Sequence, residues 1–93
     1  MLFMVIERIR VGNVDLVGAR FREKGRMLPD DVVYRDSWLE PSGARCFQLM
    51  EAPGPERLDV WIRRWHDLVD FEVIPVQTSA EFWAQRSQER RSP

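Results

Sequence analysis

The opening segment MLFMVIERI (residues 1–9) decides how the chain is read. Leu2 to Ile9 is dense in large and β-branched residues, which suit a pleated strand. Successive strand side chains point to opposite faces, so Leu2, Met4 and Ile6 share one side and Phe3 and Val5 the other. Both sides are apolar, the pattern of a central strand covered on two faces. No basic segment precedes the run and Glu7-Arg8 cuts it short, so neither a signal peptide nor a membrane span is expected.

Working outward, Asn13 is an N-cap candidate, and Val14, Val17, Gly18 and Phe21 follow at helical spacing until Gly25 stops the helix, which predicts a helix over 14–24. Val32 to Glu40 and Arg45 to Glu51 read as strands, joined by the turn residues Pro41-Ser42-Gly43-Ala44 into a hairpin. A two-residue loop at Ser42-Gly43 sets Glu40 opposite Arg45, Trp38 beside Phe47 and Ser37 beside Gln48. A slip of one residue would reverse those faces.

Pro53-Gly54-Pro55 breaks the chain, with Pro55 suited to a helix's first turn. Leu58, Trp61, Ile62, Trp65, Leu68 and Val69 then form one apolar stripe, predicting an amphipathic helix through that stretch. Phe71 to Val76 reads as a fourth strand, its Pro75 suited to a sheet edge. Thr78-Ser79-Ala80-Glu81 resembles a capping box opening a short helix with Phe82 and Trp83. The polar residues 85–93 are expected to fray from an ordered core of about 1–84, within one domain spanning 1–93.

The order strand, helix, strand, strand, helix, strand is that of an α+β, ferredoxin-like (βαββαβ) domain with a four-stranded antiparallel sheet and a short C-terminal helix. Right-handed crossovers put both main helices on one face. The other face keeps apolar residues that need cover, which predicts a homodimer through the sheet face.

With 14 basic and 15 acidic residues in 93, nothing draws the chain to nucleic acid or a membrane surface. Cys46 is the only cysteine, so no internal disulfide forms within a chain, and a reducing, cytoplasmic setting is expected. One Cys and one His make a metal site improbable. The five glycines make no phosphate-binding fingerprint, and no cofactor is expected.

The blocks MLFMVIER, GRMLPD, DSW, CFQLME and WIRRWHDLVDFEVIPVQTSAE, spread over residues 1–81, resemble a bacterial family of small proteins of unknown function placed among the dimeric α/β barrels. The resemblance implies the same protomer and a sheet-to-sheet dimer. It implies no reaction, since the wider superfamily holds cofactor-free monooxygenases, haem-degrading enzymes and stress-responsive barrels.

Among residues with chemistry, His66 is the sole imidazole and a general-base candidate, against the simpler reading of a boundary histidine. A serine hydrolase would need it, and no Gly-x-Ser-x-Gly elbow is present. Cys46 reads as a buried, inert thiol, although a thiolate stabilised by a nearby charge would be a nucleophile. Gln48 lies between Cys46 and Met50 on one strand face, where a buried amide needs partners. With Ser37 and Arg35 opposite and Trp38 nearby, it would hold a polar ligand or order waters inside a dimer, or else fix how two sheets meet. Glu72 and Glu7, near the ends of neighbouring strands, become bases if desolvated and otherwise pair with arginines such as Arg8, Arg10, Arg35 and Arg63. The leading expectation is a homodimer binding a small, partly apolar molecule at Arg35, Ser37, Trp38, Cys46, Gln48 and Met50. A cofactor-independent oxygenase or isomerase using His66 or Glu72 is the enzymatic alternative, and a partner-binding module with Val60 and the last helix as contact surface is the third.

Overall fold

In the computed structural model, which describes residues 1–91, β1 (Leu2–Ile9) lies between β3 (Arg45–Glu51) and β4 (Val69–Val76). β2 (Val33–Leu39) completes an antiparallel four-stranded sheet in the order β2-β3-β1-β4. Three helices accompany it: α1 (Val14–Lys24), α2 (Pro55–Ile62) and α3 (Ser79–Arg91). The result is an α+β domain compatible with a ferredoxin-like fold.

The alternation read from the first nine residues is realised. Phe3 and Val5 pair with Met50 and Gln48 of β3, and this face carries the core with Leu58, Trp61 and Trp65. Leu2, Met4 and Ile6 pair with Glu51, Leu49 and Phe47 on the opposite face, where they remain only half-buried. Pro75 sits on β4, an edge strand, the position in a sheet that best tolerates a residue without an N–H.

The hairpin adopts the expected register, with Ser37 opposite Gln48 and Trp38 opposite Phe47. Gly43 takes the turn's left-handed position at φ 77°, and its N–H donates to the Glu40 carbonyl at 2.8 Å. Arg45 binds the Glu40 carboxylate through two nitrogens at 2.7 and 3.1 Å. A bulge at Arg35, between the paired residues Tyr34 and Asp36, is not visible in the sequence pattern. One extra residue shifts the alternation, so Tyr34 and Ser37 come to the same helix-facing side.

The second helix is shorter than its apolar stripe. α2 ends at Ile62, and residues 63–68 continue as tight turns before β4 starts at Val69. Arg64, Trp65 and Leu68 each donate their N–H to the carbonyl three residues back, at 3.0, 2.9 and 3.0 Å. Three residues per turn is close enough to the helical period that Trp65, Leu68 and Val69 still reach the core. β4 must pair with β1, and that pairing ends the helix before its stripe does.

Asn13 precedes α1 but does not cap it through its side chain; its Nδ2 donates to the Leu68 carbonyl at 3.1 Å. Thr78 does cap α3, its Oγ1 accepting the Glu81 N–H at 3.1 Å. α3 extends to Arg91, and its residues 79–88 are exposed, including Phe82 and Trp83. Residues 92–93, the last of the expected tail, lie outside the described residues. No helix among the described residues is long and apolar enough to cross a membrane.

Leu58, fully buried between sheet and α2, tests the core. Leu58→Ala is expected to lose about 2–5 kcal/mol in chemical denaturation, whereas exposed Leu16→Ala stays within about 0.5 kcal/mol.

Candidate functional site

A cleft of about 290 Å³ opens between α1 and the helix-facing side of the sheet. Val17, Gly18 and Phe21 of α1 form its roof, and Ile9, Leu39 and Val69 much of its apolar floor. Trp61 and Trp65 close one side. No residue of α1 is fully buried, and Val17 is its one residue packed against the core. Polar ties add to that contact: Asn13 to the Leu68 carbonyl, and Arg20 to both Asp67 carboxylate oxygens at 2.7 Å each. The Arg20 guanidinium pulls the Asp67 carboxyl down to about 2.

Glu7 is the unusual group in this cleft. It continues the inward row of Phe3 and Val5 on β1 and is 8% exposed. Gln48, 5% exposed on the adjacent β3, donates through Nε2 to Glu7 Oε1 at 2.5 Å. The same amide accepts from Arg26 Nε at 3.2 Å through its Oε1. The chain of bonds therefore runs from guanidinium to amide to carboxyl, each partner orienting the next. Burial pushes the Glu7 carboxyl up to about 7, against the charge of Arg26 and the Gln48 hydrogen bond, which both favour the carboxylate.

Arg26 reaches the cleft from the segment after α1. Gly25 ends the helix with φ 67°, and Met27 follows with φ 59°, a left-handed conformation uncommon outside glycine. That segment is held by Trp65 Nε1, which donates to the Arg26 carbonyl at 2.9 Å, and by Arg64, which donates to the Met27 carbonyl. The Arg26 guanidinium lies 3.6 Å from the Tyr34 ring centroid and 5.2 Å from that of Phe21. The Tyr34 hydroxyl in turn shares a 2.7 Å hydrogen bond with Ser37 Oγ. No carboxylate among the described residues forms an ion pair with Arg26.

Two further groups matter. Cys46 lines the cleft, but burial, followed by the charge of Glu7, pushes its thiol up to about 11, which disfavours a thiolate nucleophile. Trp61 also lines the cleft, and its indole N–H is buried with no hydrogen-bond partner among the described residues. An unmet buried donor is costly, and here the sheet and helices close over it.

The structure gathers Ser37, Cys46 and Gln48 from the sequence-derived set, with Met50 deeper in the core beneath them. It separates the rest. Arg35, expected opposite Gln48, is the extra residue of the bulge and pairs with Glu51 at 2.7 Å on the uncovered face. Trp38 is on that face too and 52% exposed. Gln48, expected at the interior of a dimer of sheets, faces the helices instead, because β3 turns Cys46, Gln48 and Met50 inward with Val5. His66 is exposed in the turns after α2, and Glu72 is exposed and bound by Arg8 at 3.1 Å; neither lines the cleft.

Residues 1–89 match the family described as Domain of unknown function (DUF3303). The chain belongs to the DUF3303 family. No curated protein and no solved structure matches it. The cleft of this DUF3303 chain was only partly visible in sequence. Glu7 carried a signal, a carboxylate in phase with two core positions of a central strand. Arg26 carried none, because a folded-back segment delivers it.

A carboxyl raised in the native state makes stability fall as pH rises. Between the ordinary value of 4.5 and about 7 the folded chain keeps a proton that the unfolded chain has released. The loss amounts to about 3 kcal/mol at about 1.4 kcal/mol per unit. Wild-type melting temperature is therefore expected to drop from pH 4.5 to pH 8 by more than that of Glu7→Gln, which cannot ionise. Parallel profiles in thermal melts would refute the assignment.

Proposed function

We propose that the protein binds a small, largely apolar molecule with one polar end, in the cleft beneath α1. The observation that carries this reading is the polar chain of Arg26, Gln48 and Glu7 at the wall of an otherwise mainly apolar space. Ligand sites combine apolar walls with a few placed polar groups, and a volume of about 290 Å³ suits a single-ring compound. The Arg26 guanidinium favours an oxygen acceptor on the ligand. The polar end thus sits among Glu7, Arg26 and Ser37, and the ring among Val17, Phe21 and Leu39.

A thermal-shift screen of aromatic acids, phenols and quinones tests this. A true ligand at about 100 times its Kd adds about 2.7 kcal/mol, or roughly 10–20 °C for a domain of this size. Val17→Trp, which fills the cleft from its roof, is expected to abolish the shift. A screen without stabilising compounds, or an undiminished shift in Val17→Trp, would end the proposal.

The uncovered face of the sheet supports a second part of the reading, a homodimer joined sheet to sheet. Met4, Ile6, Phe47 and Leu49 form its apolar centre, with exposed Trp38 and Ile74 beside them. The ion pairs Arg8–Glu72, Arg45–Glu40 and Arg35–Glu51 form a rim whose charges are already matched. An apolar centre inside a polar rim is the composition of a self-associating surface. Light scattering at micromolar concentration is expected to give the mass of two chains, and Leu49→Glu the mass of one. A single-chain mass for the wild type would contradict it.

A further inference from the structure

We infer that the cleft is a proton-transfer site for enolisable carbonyl compounds, with Glu7 as the base and Arg26 as the group that holds the oxygen gaining charge. This rests on the ligand-binding reading of the same cleft and adds the class of compound and the step. Two features support it, and one side chain joins them. Glu7 Oε1 is fixed by the Gln48 amide, while its Oε2 has no hydrogen bond to any described residue and is available to a bound molecule. Arg26 uses Nε on the other end of that amide, so its terminal nitrogens, with no ion-paired carboxylate among the described residues, are left for an oxyanion. One side chain, Gln48, therefore sets both the base and the cation, and holds them in fixed relation.

The step is balanced without any other reagent. A C–H bond next to the carbonyl breaks, its proton forms an O–H bond on Glu7, and the electron pair moves to the carbonyl oxygen as an enolate. Arg26 stabilises that oxygen. Glu7 then returns the proton to carbon or to the enolate oxygen, giving exchange or keto–enol interconversion and regenerating the base. Burial supports the role, since a carboxyl raised to about 7 is a stronger base than a solvated one and still ionises near neutral pH. Phe21 and Leu39 supply apolar walls for the body of the compound.

Phenylpyruvate is a suitable probe, with an acidic C–H beside its carbonyl and a flat ring. Its binding is followed by tryptophan fluorescence, since Trp61 and Trp65 flank the cleft, and its loss of benzylic C–H signal in D₂O by NMR. Wild type is expected to bind and to exchange the benzylic protons at least about 100-fold faster than buffer, the usual lower bound for a positioned base. Glu7→Gln is expected to retain binding and lose that acceleration. Glu7→Asp, which keeps a carboxylate but withdraws it by one methylene, should lose most of it, and Arg26→Met should weaken both binding and exchange. Binding without acceleration, or full acceleration in folded Glu7→Gln, overturns this inference and leaves the binding proposal standing. Absence of both binding and exchange counts against both.

Discussion

Glu7 sets the terms for the rest of the cleft. An ionised carboxylate on the inner face of a central strand loses most of its hydration, and the protein must either neutralise it or surround it with compensating charge and donors. Here it does some of each. Gln48 gives one hydrogen bond, and Arg26 gives a positive charge one amide away rather than a direct ion pair. Burial outweighs both, so the group is balanced between its acid and its base near neutral pH. A direct Arg–Glu pair would have held Glu7 ionised; the interposed amide leaves it able to change state.

Other features of the fold serve that arrangement. The bulge at Arg35 brings Tyr34 and Ser37 to the same side, so that the Tyr34 ring lies against the Arg26 guanidinium and its hydroxyl meets Ser37. The left-handed backbone at Gly25 and Met27 sends Arg26 back beneath α1, and Trp65 and Arg64 fasten that segment from the far side. α1 itself is tied by Arg20 and Asn13 rather than sunk into the core, which leaves space under it instead of filling it with side chains. The tight turns after α2 complete the enclosure by setting Trp65 and Val69 at the cleft wall.

Much of the scaffold was legible because it follows from local patterns. The alternation in residues 1–9, the Pro41–Ala44 turn and the Thr78 cap each have their cause within a few residues, and each appears where the sequence puts it. The end of α2 was not legible, since its apolar stripe runs on into turns of nearly the same period. The site was legible only in its strand residues. Gln48 and Ser37 were opposite one another by register, but which face they occupied depended on the alternation across three strands. Arg35 belonged to the other face because of one inserted residue, and Trp38 because it alternates with Ser37 opposite Phe47. Arg26 depended on a long-range fold-back, and sequence periodicity holds no record of such contacts.

The account depends on Glu7 being a shielded acid that titrates near neutrality in the folded protein. The most direct measurement is the ¹³C chemical shift of its side-chain carboxyl, followed by NMR across pH 3–9 and assigned with Glu7→Gln. A midpoint near 7 is the expected result. A midpoint at the ordinary glutamate value of about 4.5 would mean that water reaches the group freely, and the cleft chemistry described above would lose its foundation.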